Sequence, residues 1–203
     1  GIDSPVACVL AAKRFDIVPL HFSAYPYTSE EMLELTMNVL KSVKKITKFK
    51  KAIVYPWAEI LNAIVKKLDR KEYTCLLCRK SMLKAAELVC EREGARSIVT
   101  GESLGQKASQ TLSNLTAISS GIKFPILRPL LGLDKLEIEK NSKELGIWQV
   151  RHAGGCSALP RHPRTRAKVS EIDGLLTQLN VNELIRKNLE KTVEIRTFME
   201  DLS

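Results

Sequence analysis

Short apolar segments alternate with longer amphipathic ones along most of the chain, and this alternation limits the fold more than any other feature. Strands are predicted at residues 17–22, 52–55 and 97–100 and at the start of "FPILRP". Helices are predicted at residues 6–13, 59–68 and 82–92, after a cap at Thr28 or Ser29, and after a cap at Asp134. Strands that alternate with helices pair in parallel through right-handed crossovers. We therefore expect an α/β fold, with a mostly parallel sheet and helices on both of its faces.

Composition narrows the class of protein further. The chain has 203 residues, 44% of them hydrophobic, which is enough for one domain with its own core. No apolar run approaches the roughly 18–20 residues that cross a bilayer, so we expect no membrane partner and a cytoplasmic location. Five cysteines, an odd number, favour reduced thiols over a disulfide framework. The net charge of +9 suits a polyanion such as RNA, and a lysine-rich solvated surface accounts for it equally well.

The first residues, "GIDSPVA", place a glycine turn directly before a helix start. Such a turn can hold phosphate, because the unpaired N–H groups and the dipole of the helix favour an anion. In parallel α/β folds, sites lie at the carboxyl ends of the strands. The ends of "IVPLHF" and "SIVTG" are therefore candidate positions for site residues as well. A sheet of this kind also predicts a strand immediately upstream of Gly1.

Three stretches together resemble the PP-loop ATP pyrophosphatases: "GIDSPVA" at a helix start, "LHF" at a strand end and "TGESLGQKASQTLSNL" after a later strand. The third is similar to the tRNA 4-thiouridine synthetases of the ThiI type, and the resemblance extends from Gly1 through "CSALP". The family loop reads Ser-Gly-Gly-x-Asp-Ser, and Gly1 to Ser4 match its last four positions. We expect residues 1–203 to form one PP-loop domain, with residues 151–203 as a basic loop and helical extension. The THUMP and rhodanese parts of the family are not in the printed sequence.

The resemblance implies a site for ATP and Mg²⁺. Its residues are Gly1, Asp3 and Ser4 around the pyrophosphate, His21 and Phe22 at the adenosine, and Arg79, Gly101 and Gln110 completing the nucleotide site. Lys135 matches a family lysine linked to activity. Each has a plainer alternative: Phe22 as core, Arg79 as a surface cation, Gln110 as a helix-face amide and Lys135 as an exposed lysine.

The cysteines complete the predicted site. Cys156, in "HAGGCSALP", matches the key family cysteine, and the nearby cations Arg151, Arg161 and Arg164 are expected to favour its thiolate. Cys75 and Cys78 resemble the Cys-x-x-Cys of archaeal-type members. Three thiolates can hold an iron–sulfur cluster with one iron open to extra sulfide, so the three cysteines are predicted to hold a cluster or carry a persulfide. A lone Cys-x-x-Cys is also commonly structural.

The function that the resemblance implies is ATP-dependent adenylylation of uridine 8 in tRNA, followed by replacement of its 4-oxygen with sulfur. This requires a sulfur donor, either sulfide or a persulfide carrier, and similar proteins also supply sulfur for the thiazole of thiamine. Two alternatives stay open: an amidating ligase of the GMP or NAD synthetase kind, and a non-catalytic basic RNA-binding domain. An amphipathic helix predicted from residue 181 to about residue 202 offers a surface for a homodimer.

Overall fold

The computed structural model describes residues 1–149 and 154–196. Its helices are α1 (Asp3–Ala12), α2 (Glu31–Thr47), α3 (Ala58–Lys67), α4 (Thr74–Glu93), α5 (Leu112–Ser119), α6 (Lys135–Glu144), α7 (Val169–Leu179) and α8 (Asn182–Glu190). Its strands are β1 (Leu20–Ser23), β2 (Ala52–Pro56), β3 (Ile98–Val99), β4 (Ile126–Leu127) and β5 (Val193–Ile195). Short 3-10 turns cover Lys71–Tyr73 and Ala108–Gln110.

The strands pair mainly in parallel, which confirms the predicted α/β class. Strand β1 runs parallel to β2, with Leu20 opposite Ile53, and β3 runs parallel to β4 in a second, two-stranded sheet. Only β5 is antiparallel among the described strands, and it pairs with the other side of β2. The connections from β1 to β2 and from β3 to β4 each contain a helix, as parallel pairing requires.

Helices cover both faces of the sheet region and enclose two hydrophobic cores. Because successive strand residues point to opposite faces, β2 contributes Ile53 and Tyr55 to the larger core and Ala52 to the smaller one. Helices α3, α4, α5, α7 and α8 surround the larger core, and α1, α2 and α6 surround the smaller one. The site described below lies where the carboxyl ends of the strands meet these helices.

An aromatic cluster fixes that edge of the sheet. The ring of Phe22, in β1, meets the ring of Trp57 edge-on at a centroid distance of 4.8 Å and lies 5.5 Å from that of Tyr55. Trp57 is fully buried and its backbone N–H donates to the carbonyl of Ser23 at 2.7 Å. Such pairs add about 0.5–1.5 kcal/mol beyond the area they bury, so the ends of β1 and β2 are held together firmly.

Two helix predictions need correction. Helix α4 begins at Thr74 instead of residue 82, which places Cys75 and Cys78 one helical turn apart on the same face. The predicted C-terminal helix ends at Glu190, and the β-branched segment Val193–Ile195 instead forms β5 against β2. The remainder of that predicted helix, from residue 197 onward, lies outside the described residues.

The apolar face of α8 is covered within the chain. Ile185 is buried, and Leu184 and Leu189 pack against the larger core. The part of the predicted face that lies on α8 is therefore not available to a second copy of the chain, and the homodimer stays a prediction. Within the described ranges, no helix has the length and apolar character needed to cross a membrane.

Candidate functional site

The N-terminus of α1 forms the centre of the candidate site. Helix α1 begins at Asp3, and the residue before it, Ile2, supplies no side-chain cap. The first backbone N–H groups of a helix have no acceptor within the helix, and together with the helix dipole they favour a bound anion. A Cβ placed on Gly1 would meet nothing within 4 Å, so the turn that leads into the helix lies open.

Gly101 packs directly against this helix start. A Cβ at Gly101 would lie 2.5 Å from the backbone nitrogen of Ser4 and 2.6 Å from the carbonyl carbon of Asp3. Both contacts are with backbone atoms, which cannot move aside as a flexible side chain would. Glycine is therefore required at the end of β3 by the close approach of the α1 turn. The predicted strand end "SIVTG" and the predicted phosphate turn are in contact.

A cleft of about 420 Å³ opens beside the helix start. Asp3 and Lys135 lie across it, with Lys135 Nζ 3.4 Å from Asp3 Oδ1. Lys107 adds a second ammonium, and the buried Nε2 of Gln106 has no hydrogen-bond partner among the residues that the structure describes. The cleft is lined by Gly1, Ile2, Asp3, Gln106, Lys107, Lys135, Glu139 and Trp148. Two cations and a helix start make it a candidate anion site, although Asp3 and Glu139 also lie in its lining.

Lys135 occupies the first position of α6. The capping box of Asp134 and Glu137 fixes this helix start, with bonds of 2.8 Å in both directions. A cation at a helix N-terminus opposes the dipole, and here the Asp3 carboxylate offsets that charge. Because Lys135 is 51% exposed, an anion in the cleft can exchange with Asp3 as its partner.

His21 and Phe22, predicted to contact adenosine, lie in β1 beside the cleft rather than in its lining. Burial lowers the pKa of His21 to about 4, and the positive charge at Gly1 adds to the decrease. The imidazole is therefore neutral near pH 7 and lies close to the start of the turn. Phe22 packs in the aromatic cluster, which accounts for it as a core residue. The adenosine role of these two residues stays a prediction.

Arg79 is engaged in a buried ion network rather than left as a surface cation. Its Nη1 lies 2.9 Å from Glu102 Oε1, and Arg128 Nε lies 2.7 Å from Glu102 Oε2. Glu102 is 7% exposed and also accepts a hydrogen bond from the hydroxyl of Thr100 at 3.0 Å. Since Gly101 is the neighbour of Glu102, this network joins the α1 turn to the helix that carries the two cysteines.

Gln110 is buried in the loop that follows β3. Its backbone carbonyl accepts from the Gly105 N–H at 3.1 Å and closes the turn that carries Lys107 into the cleft. The structure thus gives Gln110 a part in shaping the loop, and its side chain does not line the cleft.

The three predicted cysteines lie close enough to influence one another's ionisation. Burial raises the pKa of the Cys78 thiol to about 12, and Cys75 and Cys156 also raise it. The Trp57 indole N–H donates to Cys78 Sγ at 3.2 Å, so this sulfur is held in place. Burial raises the pKa of Cys75 as well, opposed by the positive charges of Arg79 and Lys107.

These thiols do not form a ready set of metal ligands. Across the described ranges, no group of three or more histidine, cysteine, aspartate or glutamate side chains is arranged to hold a metal ion. The sulfurs of Cys75, Cys78 and Cys156 are therefore neighbours, but they are not arranged as the ligands of the predicted iron–sulfur cluster. Cys8 and Cys90 lie in α1 and α4, as expected, and all five cysteines are free thiols.

Lys107 connects the two halves of the site. Burial lowers the pKa of the Gly1 amino group, and the charges of Lys107 and Lys135 lower it further. The same Lys107 charge acts on the Cys75 thiol. Lys107 therefore lines the anion cleft and lies within electrostatic reach of the Cys75 thiol.

Asn114 docks the loop that carries Cys156. It is fully buried, and its side-chain Nδ2 donates to the carbonyls of Ala108 at 2.7 Å and Arg164 at 2.9 Å. Its Oδ1 accepts from the Ala167 N–H at 2.9 Å. Arg151, expected beside Cys156, lies outside the described residues. The cysteine loop and the loop after β3 are thus held by one side chain.

Several of these residues escaped prediction from the sequence. Gln106 and Lys107 stand inside the stretch "TGESLGQKASQTLSNL", so their position after a strand was the available signal. Glu102 and Asn114 stand in the same stretch, but their partners are distant in sequence and could not be identified. Trp148 carried no signal, because a lone aromatic residue is normally read as core.

Comparison with known proteins agrees with this geometry. The family model described as "Thiamine biosynthesis protein (ThiI)" matches residues 1–181. A "Probable tRNA sulfurtransferase" of Methanobrevibacter smithii is 37% identical over 195 residues, which cover 92% of this chain and 50% of that protein. A protein of the same name from Methanocaldococcus jannaschii is 40% identical over 178 residues, covering 85% of this chain and 46% of that one. The chain spans about half the length of the curated relatives it matches.

A solved structure matches closely as well. The crystal structure of a 4-thiouridine synthetase–RNA complex with bound ATP superimposes with a TM-score of 0.89 at 30% identity, covering 96% of this chain and 52% of that one. The fold and the anion cleft define an α/β domain of the PP-loop ATPase class. With the match over residues 1–181, the chain belongs to the ThiI family.

Proposed function

We propose that this chain carries out the ATP-dependent, sulfur-transferring part of tRNA thiolation, which converts uridine 8 to 4-thiouridine. The observation that carries the proposal is that Lys107 lines the cleft beside Gly1 and Asp3 and also lies within electrostatic reach of the Cys75 thiol. An anion site and a group of thiols on one side of the sheet match a reaction that uses ATP and sulfur together. The relatives named tRNA sulfurtransferase and the ATP-bound 4-thiouridine synthetase support the same conclusion.

The first half of the proposed reaction makes the uracil oxygen a leaving group. ATP does this by adenylylating the oxygen and releasing pyrophosphate. In this proposal the N–H groups at the start of α1, with Gly1, Asp3 and Ser4, hold that pyrophosphate; the open cleft beside Gly1 and Asp3 supports it. Lys135 and Lys107 face the same cleft and stabilise the charge that develops on the phosphates. Mg²⁺ is commonly bound by one or two carboxylates together with substrate phosphates, and Asp3 supplies such a carboxylate here.

The second half delivers sulfur. The thiolate is the reactive form of cysteine, and burial raises the pKa of Cys78 to about 12, so this thiol is poorly suited to form it. Cys75 lies under the influence of two cations, and Cys156 lies on the docked loop beside it. We assign sulfur transfer to Cys156 with Cys75. A persulfide carrier passes its outer sulfur to Cys156 and leaves as a thiol, and the outer sulfur of the Cys156 persulfide then displaces AMP from C4 of the uracil. Cys75 attacks the inner sulfur, which releases 4-thiouridine and leaves a Cys75–Cys156 disulfide that an external thiol reduces. Sulfide, where it is the donor, displaces AMP from C4 directly. Since the three sulfurs lack a ligand arrangement, no step is assigned to an iron–sulfur cluster.

The proposed compartment and the wider role follow from the same residues. Five free thiols suit the reducing cytoplasm. The family description names thiamine biosynthesis, and activated sulfur on these cysteines would serve thiazole formation in the same way.

The test is anaerobic incubation with ATP, Mg²⁺, a persulfide donor, an excess of thiol and unmodified tRNA, followed by absorbance in the thiouridine band. Both the 203-residue chain and a chimera in which it replaces the matching half of the Methanobrevibacter smithii relative are assayed, because the chain spans half of that protein. We expect Cys156→Ser to abolish product and Cys90→Ser, a buried thiol elsewhere on α4, to leave it unchanged. A chimera that turns over ATP normally with Cys75, Cys78 and Cys156 all replaced by serine would indicate an amidating ligase instead.

A further inference from the structure

The chain has two exposed basic regions that could contact a polyanion. The loop patch consists of Arg161, Arg164, Arg166 and Lys168, which follow Cys156. The helix patch consists of Lys44, Lys45, Lys48, Lys50 and Lys51, at the end of α2 and before β2. We propose that the RNA backbone docks on the loop patch and not on the helix patch. This inference rests on the proposed function, and it names the surface through which that function would receive its RNA.

The loop patch lies on the same side of the molecule as the site. The backbone N–H of Ser157 donates to the carbonyl of Tyr27 at 2.8 Å, just beyond the carboxyl end of β1. The backbone N–H of Arg164 donates to the carbonyl of Glu72 at 3.0 Å, three residues before Cys75. The hydroxyl of Thr111 donates to the carbonyl of Thr165 at 2.7 Å. The loop therefore runs across the ends of the strands, past the thiols and the loop after β3.

The helix patch lies at the opposite edge of the sheet. Its last member, Lys51, immediately precedes the first residue of β2, whereas the site lies past the last residues of β1 and β2. A five-residue strand at about 3.3 Å per residue separates the two edges by roughly 15 Å before any loop is counted. RNA held on the helix patch would have the sheet between it and the cysteines.

One cation of the helix patch is already paired within the chain. Lys51 Nζ lies 2.6 Å from Glu93 and 3.0 Å from Glu194, so its charge is already paired. In the loop patch, none of the four cations forms an ion pair with a carboxylate of the described residues. The guanidinium of Arg164 lies over the Tyr73 ring at 5.9 Å, and all four residues are exposed.

The loop patch is held in place before any ligand arrives. Two hydrogen bonds of 2.9 Å join the Asn114 side chain to the backbone of Arg164 and of Ala167. They fix the backbone of the loop patch from residue 164 to residue 167. A surface that is already ordered loses less conformational entropy on binding. Electrostatic contacts to phosphates do not depend on base identity, so we expect this surface to position the RNA and not to read its sequence.

The experiment compares two double variants with the same change of charge. Arg161→Gln with Arg166→Gln weakens the loop patch, and Lys48→Gln with Lys50→Gln weakens the helix patch. Binding of unmodified tRNA is measured against salt concentration, because each phosphate contact adds about 0.7–0.9 to the slope of log affinity against log salt. We expect the loop variant to lose about 1.4–1.8 from the slope and the helix variant to match the unmodified chain. All four side chains are exposed, and unchanged thermal melts would verify folding.

Equal slopes for the two variants, or a larger loss in the helix variant, would overturn the assignment. Failure of the proposed function would look different. In that case the unmodified protein and its chimera would form no 4-thiouridine. The loop variant would still show a smaller slope of log tRNA affinity against log salt than the unmodified chain.

Discussion

Replacing Gly101 by alanine tests whether the segment after β3 and the start of α1 form one rigid unit. The added Cβ would lie 2.5 Å from Ser4 N, 2.6 Å from Asp3 C and 2.7 Å from Ser4 Cα. Restoring an ordinary contact of about 3.4 Å requires a shift of about 0.9 Å in the backbone at the start of α1. Overpacking of this kind typically destabilises a protein by about 1–3 kcal/mol. A displacement of roughly 1 Å in a substrate-binding group can lower activity about 100-fold.

Two measurements separate these effects. Urea denaturation should show Gly101→Ala to be less stable by about 1–3 kcal/mol, and ATP affinity should fall because the N–H groups of α1 have moved. The matched control is Gly174→Ala, in α7, where an added Cβ meets nothing within 4 Å. That change should stabilise the chain by up to about 1 kcal/mol, since alanine is the better helix former. Gly101→Ala with normal ATP affinity and stability would refute the claim that the close approach positions the turn.

Three further predictions concern single charged or titrating side chains. Lys135→Gln should lower ATP-dependent thiolation by about 100-fold, because a cation facing the phosphates is lost. The unfolding free energy should change by less than about 1 kcal/mol, because the pair of Lys135 with Asp3 is exposed. A large loss of stability in urea would contradict this prediction. Lys80→Met should lower the unfolding free energy in urea by about 2–3 kcal/mol. The buried Lys80 ammonium donates to two carbonyls at the end of α5 and pairs with Asp173, and methionine cannot replace these contacts. An unfolding free energy near that of the unmodified chain would show that these contacts do not stabilise the fold. His21 has a pKa of about 4 in the folded chain, so the unfolded chain binds the proton first as the pH falls below about 6.5, and stability present above that pH is lost. Urea denaturation should show a loss of about 2 kcal/mol between about pH 7.5 and about pH 5. The variant His21→Gln should not show this loss.

The sequence predicted best those features that depend on local chemistry. The Asp134 cap of α6 is confirmed with both bonds of its capping box, and α4 ends at Gly94 in the left-handed conformation. These signals lie within one helical turn of the residues that they control. The α/β class followed in the same way from the alternation of segments, because sequence periodicity reflects burial on one or two faces.

The predictions that went wrong depended on distant contacts. Residues 193–195 continue the apolar spacing of α8, yet β-branched Val193 and Ile195 add to the free edge of β2 because strand pairing satisfies their backbone groups. Arg79 was predicted in the nucleotide site, which stays a prediction; its plainer alternative, a surface cation, missed the ion pair with Glu102, 23 residues away. Nothing local indicates such a pair, so only the folded arrangement could reveal it.

The side chain of Asn114 couples the movement of two loops that are far apart in the sequence. One carboxamide holds Ala108 on one loop and Arg164 and Ala167 on another, so neither loop can swing outward without breaking bonds that also restrain the other. The loop that carries Cys156 and the loop that places Gln106 and Lys107 in the cleft should therefore move together. Solvent exchange at the Ala167 amide would then report on the movement of both loops.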